Sequence, residues 1–259
     1  TNNEGTDYVG TAYTFKSLAY DYKLWAWGYG ADGQLAQNNR TSYQSPIQVV
    51  GTTWSKIRCG GTNRCAILAT KNDGTLWSWG YNVSGQTGVN GANPAVAKVS
   101  SPTQLPGTNW SNNFCGGRAS LAVKTDGTLW AWGQNDSGNV GDGTTTKRSS
   151  PVQVGSDTTW STSYGKCAAS DSNSCFAIKT DGTLWAWGEN QGKLGLNDNQ
   201  HYSSPKQIPG TTWSMVDSNY GSGYAIKTDG TLWSWGSGTW GKLGTNTPHN
   251  TKYSSPKQV

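Results

Sequence analysis

Residue types that perform catalysis are scarce in this chain. It holds two histidines, His201 and His249, and 15 Asp and Glu residues among 259. General acid–base catalysis needs a titratable group beside an orienting partner, and the sequence contains no G-x-S-x-G, H-E-x-x-H or P-loop spacing. We therefore expect no enzyme activity and no cofactor.

Five cysteines leave at least one thiol unpaired. Cys59 precedes Cys65 by six residues, and Cys167 precedes Cys175 by eight. In each pair the two cysteines are expected on neighbouring strands of a hairpin. Two hairpin disulfides are therefore one interpretation. The other treats Cys59, Cys115 and Cys167 as equivalent small buried residues of a repeat. Because no C-x-x-C occurs and both histidines are distant in sequence from every cysteine, we expect no metal site.

Aspartate recurs beside glycine, at residues 73–74, 126–127, 181–182 and 229–230. Both central residues of a type I′ hairpin turn have positive φ, which Asp-Gly tolerates, so these pairs predict tight hairpins between two strands. The Asp-containing loop 135–143 matches neither an EF-hand nor a β-roll calcium loop. We interpret all of these aspartates as turn formers.

The elements that position these residues are repeats. The phrase Leu-Trp-[Ala/Ser]-Trp-Gly begins at Leu24, Leu76, Leu129, Leu184 and Leu232. Three further phrases, Ser-Pro-x-Gln, Trp-Ser and Ala-[Ile/Val], recur with the same period of about 50 residues. Each phrase is short, apolar and bounded by Gly, Pro, Asn or Asp, as strands are. Four phrases per period predict four strands per repeat.

Both faces of the Leu-Trp phrase are apolar, so each sheet should be covered on two sides. Four-stranded sheets at this period are typical of β-propeller blades, and an open β-solenoid is the alternative. The composition agrees with an all-β protein, since 35 Gly and 9 Pro disfavour long helices. Fifteen Trp residues supply apolar surface in a chain that is 33% hydrophobic and 14% charged. No apolar run is long enough to span a membrane.

The segments Trp79–Gln86 and Trp187–Gly195 share Trp-Gly-x-Asn followed by Gly, and Cys-Gly stands at residues 59–60 and 115–116. In these features the chain resembles the repeat of the regulator of chromosome condensation family. The resemblance covers nearly the whole chain and implies a propeller, which has seven blades in the founding member. It also implies guanine nucleotide exchange or chromatin binding. The histidine common in the family's motif is absent, and its positions hold Asn63, Ala119, Ser174 and Ser222.

We expect one propeller domain over residues 1–259, with repeats near 45–80, 101–133, 150–188 and 204–236. In this phasing the Ser-Pro strand opens each blade. Residues 1–28 would then supply the later strands of a fifth, composite blade and residues 254–259 its first strand, which closes a five-bladed ring and hides both sheet edges. The alternative is an excerpt of a seven-bladed ring.

Two rings of loop residues are candidate binding surfaces. A first rim stands three residues before each Ser-Pro proline, and Tyr and Arg are enriched in binding hot spots. Its members are Tyr43, Val99, Arg148, Tyr202 and Tyr253. The alternative is that these side chains merely cover the blade ends. A second rim, in the loops before the Ala-Ile strands, comprises Asn63, Arg64, Arg118, Lys166 and Tyr220.

The formal net charge of +5 is spread over repeated lysines, so nucleic acid is not an expected partner. Few charges and abundant Asn, Thr, Ser, Gly and Trp favour a non-enzymatic recognition or structural module on a virion or other extracellular surface. Such a module would bind protein or glycan through its loops and could form a homo-oligomer or particle. The Trp-rich repeats are also similar to those of phage and bacterial surface proteins. The alternatives are an exchange factor or chromatin binder, and a secreted protein inhibitor of an enzyme.

Overall fold

The computed structural model describes residues 22–59, 66–89, 97–115, 118–170, 173–248 and 250–259. Their strands form five antiparallel sheets, named blades I to V in chain order. Blade I has the two strands β1 (Trp25–Gly28) and β2 (Tyr43–Gln48). Blades II and III have β3 (Trp54–Cys59), β4 (Ala66–Lys71), β5 (Leu76–Tyr81), β6 (Lys98–Gln104), and β7 (Trp110–Cys115), β8 (Ala119–Lys124), β9 (Leu129–Gly133), β10 (Arg148–Gln153). Blades IV and V have β11 (Cys167–Ala169), β12 (Ser174–Ile178), β13 (Leu184–Gly188), β14 (Tyr202–Gln207), and β15 (Trp213–Asn219), β16 (Ser222–Lys227), β17 (Leu232–Ser237), β18 (Lys252–Gln258).

The prediction of an all-β propeller made of four-stranded blades is confirmed. The first strands of consecutive blades contact each other, β3 with β7, β7 with β11 and β11 with β15. These strands therefore lie nearest the propeller axis, and the last strand of each blade lies at the circumference. No helix among the described residues is long and apolar enough to cross a membrane.

The predicted phase of the repeat is wrong by one strand. The Ser-Pro strand closes a blade instead of opening one, as in blade III, where Val152 of β10 pairs with Ala131 of β9. The crossing to the next blade comes after this strand, at a turn whose glycine has positive φ, such as Gly107 at 98° or Gly210 at 98°. Consecutive strands joined by a loop pair directly, which is the common arrangement in antiparallel sheets.

The composite blade of residues 1–28 and 254–259 is consequently also wrong in its C-terminal part. Strand β18 completes blade V, where Lys257 pairs with Ser234 and Tyr253 with Gly236 of β17. In blade I, β1 pairs with β2. Residues 1–21, which were to supply further strands of that blade, lie outside the described residues.

The Asp-Gly hairpins use a three-residue connection, not the predicted type I′ turn. In blade III the Lys124 amide donates to the Thr128 carbonyl at 3.0 Å, and the Gly127 amide donates to the Lys124 carbonyl at 3.0 Å. Of the residues between them, the glycine alone has positive φ, 78°. This geometry is a type I turn followed by a glycine bulge.

The aspartate of each hairpin holds the threonine that follows the glycine. Asp126 Oδ1 accepts the Thr128 hydroxyl at 2.7 Å and its amide at 3.0 Å, and Thr128 Oγ1 accepts the Trp130 indole N–H at 2.8 Å. These hydrogen bonds from Thr128 lower the pKa of Asp126 below its usual value. The same network recurs in blades II, IV and V. The interpretation of these aspartates as turn formers is confirmed.

The repeated lysines at the ends of the second strands are stacked on tryptophan. Lys124 Nζ lies 3.9 Å from the centroid of the Trp130 ring and 4.9 Å from that of Trp110. Such cation–π contacts stabilise by about 0.5–2 kcal/mol each. The equivalent lysines, which also lie over two indoles, are Lys71, Lys179 and Lys227.

The second tryptophan of each Leu-Trp strand joins one blade to the preceding one. Trp187 of blade IV is fully buried, and its indole N–H donates to the Asn139 carbonyl in the loop of blade III at 2.9 Å. Trp79, Trp132 and Trp235 make the same bond to the loop of the blade before them. Four hydrophobic clusters fill the spaces between successive blades.

The two outer blades each leave uncovered a side chain that is buried in the blades between them. Trp27 of blade I, which corresponds to Trp187, is 61% exposed. Leu232 of blade V is 41% exposed, although the matching Leu129 and Leu184 are fully buried. The described part of the chain thus has one uncovered face at each end of the blade series.

Candidate functional site

The long loops from the third to the fourth strand all lie at one end of the propeller, called the loop face. Their described parts are residues 29–42, 82–89 with 97, 134–147, 189–201, and 238–248 with 250–251. Because strand direction alternates, the loops from the first to the second strand lie at the same end. The first candidate rim and two members of the second, Arg118 and Tyr220, therefore belong to one face.

A buried asparagine fixes the backbone of a loop in three blades. Asn135 is fully buried, its Oδ1 accepts the Val140 amide at 2.8 Å, and its Nδ2 donates to the carbonyl oxygens of Thr144 and Thr146 at 3.1 and 2.9 Å. Asn82 and Asn190 accept the equivalent amides. The Trp-Gly-x-Asn motif thus holds the loops rigidly and leaves other side chains free to vary.

The first candidate rim lies on the loop face and bonds to its own loops. Arg148 forms an ion pair with Asp142 at 2.6 Å. Tyr202 donates its hydroxyl hydrogen to Asp198 Oδ2 at 2.8 Å, which raises the pKa of Tyr202. These contacts support the interpretation that the rim covers the blade ends, and its role in ligand binding stays a prediction. The remaining members, none of them fully exposed, are Tyr43, Val99 and Tyr253.

The second candidate rim lies inward of the first, and two of its members, Arg118 and Tyr220, are exposed there. Lys166 does not lie in such a loop. It precedes β11, and its carbonyl oxygen accepts the Ile178 amide at 2.8 Å. The reason is that Cys167 begins the inner strand of blade IV, whereas Cys115 ends that of blade III. Asn63 and Arg64 lie outside the described residues.

The cysteines divide into buried and exposed thiols. Cys167 and Cys175 are free and buried, and burial raises the pKa of Cys167 to about 12. Each stands opposite an alanine and not opposite the other, so the predicted disulfide between them is wrong. Cys59 is free and exposed, which contradicts its interpretation as a buried repeat residue. Cys65, its predicted disulfide partner, lies outside the described residues.

Between the loops of blades IV and V, the loop face opens into a cleft of about 630 Å³. This volume lies within the range of small-molecule binding sites, about 300–1,000 Å³. The cleft therefore has room for a small molecule or for part of a polymer. Its lining includes Glu189, Lys193, Tyr220, Trp240, Lys242 and Lys252.

Two aromatic side chains at the cleft are strongly exposed, Trp240 at 85% and Tyr220 at 74%. Trp240 also has a φ of 64°, a backbone region that bulky residues rarely adopt. It stands before the loop glycine, where Asp32, Ser84 and Ser137 stand in earlier blades. An exposed aromatic residue on a strained backbone beside a cleft indicates a binding surface.

Cationic side chains dominate the cleft, which has three lysines and one glutamate. Lys193 Nζ pairs with Glu189 Oε1 at 2.9 Å, and Lys242 Nζ donates to the Tyr220 carbonyl at 2.8 Å. Sequence reasoning found Tyr220 and missed the lysines and Trp240. The available signal for Trp240 was its departure from the repeat, because smaller residues precede the loop glycine in the other blades.

Polar groups elsewhere on the loop face serve the loops themselves. His201 Nδ1 accepts a hydrogen bond from the Asn190 amide at 2.9 Å, so this ring nitrogen is already engaged by the loop. Within the described ranges, no three His, Cys, Asp or Glu side chains are grouped so that they could hold a metal ion. His249 lies outside the described residues.

Known proteins resemble this chain in sequence and in fold. The human E3 ubiquitin-protein ligase HERC2 is 28% identical over 200 residues, which is 75% of this chain and 4% of the ligase. The ultraviolet-B receptor UVR8 of Arabidopsis thaliana is 27% identical over 242 residues, 92% of this chain and 53% of the receptor. The chain thus spans about half or less of the length of these curated relatives.

Among solved structures, human WBSCR16 superposes with a TM-score of 0.74 at 23% identity, covering 91% of this chain and 62% of that one. Prp20p from Saccharomyces cerevisiae superposes with a TM-score of 0.76 at 18% identity, covering 94% and 60%. These likenesses concern the fold. The sequence motif described as the regulator of chromosome condensation (RCC1) repeat matches residues 22–67, 126–175, 181–224 and 229–259. The chain therefore belongs to the RCC1 repeat family.

Proposed function

We propose that this chain is a non-enzymatic recognition module whose loop face binds a protein or a glycan. The observation that carries the proposal is the cleft between blades IV and V, where Trp240 and Tyr220 expose most of their surface. Aromatic residues exposed at a concave surface are typical of binding hot spots. The facing loop of blade IV is fixed by Asn190 and Trp235 through hydrogen bonds to the Leu194 amide and the Lys193 carbonyl, so this wall of the cleft is organised before a partner arrives.

Family membership supports recognition as the general role. Prp20p, which shares the fold, is described as having binding properties to Gsp1p and histones, which are proteins. The expected setting remains a virion or other extracellular surface, and the support for it is compositional: 14% charged residues and abundant Trp and Gly.

A binding experiment with two fixed probe sets tests the proposal. The whole chain is applied to a printed glycan array and, by biolayer interferometry, to purified core histones and a small GTPase loaded with GDP. Trp240→Asn removes the indole and keeps a residue that tolerates positive φ. Tyr164→Ala is the control, because Tyr164 is 64% exposed outside the cleft.

Saturable binding that Trp240→Asn weakens at least tenfold and Tyr164→Ala leaves unchanged is the expected result. Binding to none of the probes, or equal loss in both variants, contradicts a recognition role of the cleft.

A guanine nucleotide exchange factor or chromatin binder is the second candidate, favoured by the fold shared with Prp20p at a TM-score of 0.76. The same GTPase, loaded with fluorescent GDP, distinguishes it. Accelerated nucleotide release by catalytic amounts of the chain supports exchange activity, and release at the intrinsic rate argues against it.

A further inference from the structure

The cleft between blades IV and V is the place where the loop face departs most from its own repeat. The backbone at Trp240, with φ of 64°, is strained, because a left-handed conformation brings the Cβ of a residue close to the following carbonyl oxygen. At 85% exposure, burial of the indole offsets little of that strain. Gln191, in the neighbouring loop of blade IV, also has positive φ, 99°. Two strained loops therefore face each other across the cleft.

A comparison of equivalent lysines shows that the cleft has an excess of positive charge. Lys98 of blade II reaches the loop of blade I and forms an ion pair with Asp32 at 2.7 Å. Lys252 holds the same place in blade V and reaches the loop of blade IV beside Gly192. The residue corresponding to Asp32 in that loop is Gln191.

The exchange of an acid for an amide leaves this charge without a local counterion. Among the described residues, Lys252 has no carboxylate within ion-pair distance, and the same holds for Lys242. The carboxylate at the cleft, Glu189, is already paired with Lys193. The site therefore lacks about two negative charges, which an anionic ligand would supply.

We propose that this cleft binds an acidic sugar residue, a uronate or sialate within a glycan; this rests on the recognition role proposed above. The ligand's carboxylate would lie between Lys242 and Lys252, where charge-assisted hydrogen bonds are strongest. The C–H face of its pyranose ring would stack on the Trp240 indole, because an exposed aromatic face is apolar and polarisable. Ser237 and Thr239, whose hydroxyls lie 2.8 Å apart on the wall, are suitable partners for sugar hydroxyls.

Three ligands separate the contributions of charge and ring. Trigalacturonate has both, maltotriose has the ring without the charge, and a hexaglutamate peptide has the charge without the ring. Each is titrated into the whole chain by isothermal titration calorimetry at low salt, and tryptophan fluorescence is recorded in parallel.

We expect trigalacturonate to bind at least tenfold more tightly than maltotriose or hexaglutamate and to change the tryptophan emission. Trp240→Asn should weaken it at least tenfold without lowering the temperature of thermal unfolding, because Asn tolerates the positive φ of this position. Lys252→Gln should weaken it fivefold or more and reduce the salt dependence of the affinity. The matched control is Lys98→Gln, which alters the same strand position at a paired site and should leave binding unchanged.

Other outcomes overturn the proposal in distinguishable ways. Equal affinity for hexaglutamate, insensitive to Trp240→Asn, identifies an acidic protein segment as the ligand. Maltotriose binding as tight as trigalacturonate shows that charge is irrelevant. In both cases the loop face still recognises a partner and the proposed function survives. If none of the three ligands binds, the acidic-sugar assignment falls, and the array and protein probes then decide the recognition role independently.

Discussion

The tryptophan that joins successive blades occurs in a buried and an exposed copy, and this allows a quantitative test of the packing. Trp187 is fully buried and donates to the Asn139 carbonyl, whereas Trp27 is 61% exposed. An indole that buries about 200 Å² contributes about 5 kcal/mol of gross hydrophobic stabilisation. The same estimate for the covered fraction of Trp27 is about 2 kcal/mol. Trp187→Ala also loses a hydrogen bond of about 1 kcal/mol and leaves a cavity.

These gross values are upper bounds, because the unfolded chain already buries part of the same surface. We therefore expect Trp187→Ala to lower the free energy of unfolding by about 4–5 kcal/mol and Trp27→Ala by about 1–2 kcal/mol. Blades contact mainly their neighbours, so the loss should be local. Urea unfolding monitored by circular dichroism gives the total, and hydrogen exchange by mass spectrometry should show faster exchange in β13 and in loop 134–147. Equal losses for both variants would refute the reasoning, because Trp27 would then be covered as fully as Trp187.

Three further predictions address the loops, the hairpins and the thiols. A Cβ at Gly141, φ 80°, would lie 2.7 Å from Trp187 Nε1, so Gly141→Ala should lose at least about 2 kcal/mol more in urea unfolding than Gly155→Ala, which meets open space; equal losses would contradict this contact. Thr128→Val, which removes the hydroxyl donor and keeps the amide of residue 128, should raise the pKa of Asp126 towards its ordinary value in an NMR titration. The hydroxyl bond lowers that pKa in the native protein, so its stabilisation is present above about pH 4 and is lost as the pH falls through the folded-state value. An unchanged pKa in the variant would rule out this contribution of the hydroxyl. Iodoacetamide at pH 8 should modify Cys59 in the native protein and spare Cys167 and Cys175 until unfolding; modification of Cys167 in peptide mapping would contradict its burial.

The strands were predictable from sequence because their signals are local. Each Leu-Trp phrase carries apolar residues on both faces and ends at a glycine, and each became a strand. The Ser-Pro strand can pair with the Leu-Trp strand before it or open the next blade. Which of these occurs depends on which of its two flanking loops returns the chain to the same sheet and which one crosses to the next blade. The loop 134–147 and the connection 154–159 are both rich in Gly, Asp and Thr, so composition does not distinguish them. The phase error followed from this ambiguity, and the misplaced composite blade followed from the phase.

The cleft was harder to predict for a different reason. Ring symmetry predicts rim residues from positions that recur in every blade, so it favours positions that carry similar residues. This criterion selects Tyr220 but neither Trp240 nor Lys252. Trp240 differs from its counterpart Ser137 in residue type, and Lys252 lacks the ion pair that its counterpart Lys98 forms with Asp32. Whether a lysine has a partner is a tertiary fact, since Asp32 and Lys98 are distant in sequence and meet only when two blades pack.

The loops of successive blades are anchored through main-chain atoms, and this explains how a rigid repeat can acquire a binding site. In blade III the polar side chains bond to one another: Asp142 accepts from Arg148, and Asn135 donates to Asp142 at 3.3 Å, which leaves little for a ligand. In blade IV side chains also bond to one another, as Lys193 does to Glu189, but the loop itself is anchored through a main-chain atom, since Trp235 donates to the Lys193 carbonyl at 2.8 Å. Trp187 anchors the loop of blade III in the same way, through the Asn139 carbonyl. Because anchoring uses main-chain atoms, the side chains at such positions can change without loss of the fold. A ligand site is therefore expected where neighbouring loops of this kind keep side chains that their own blades do not use.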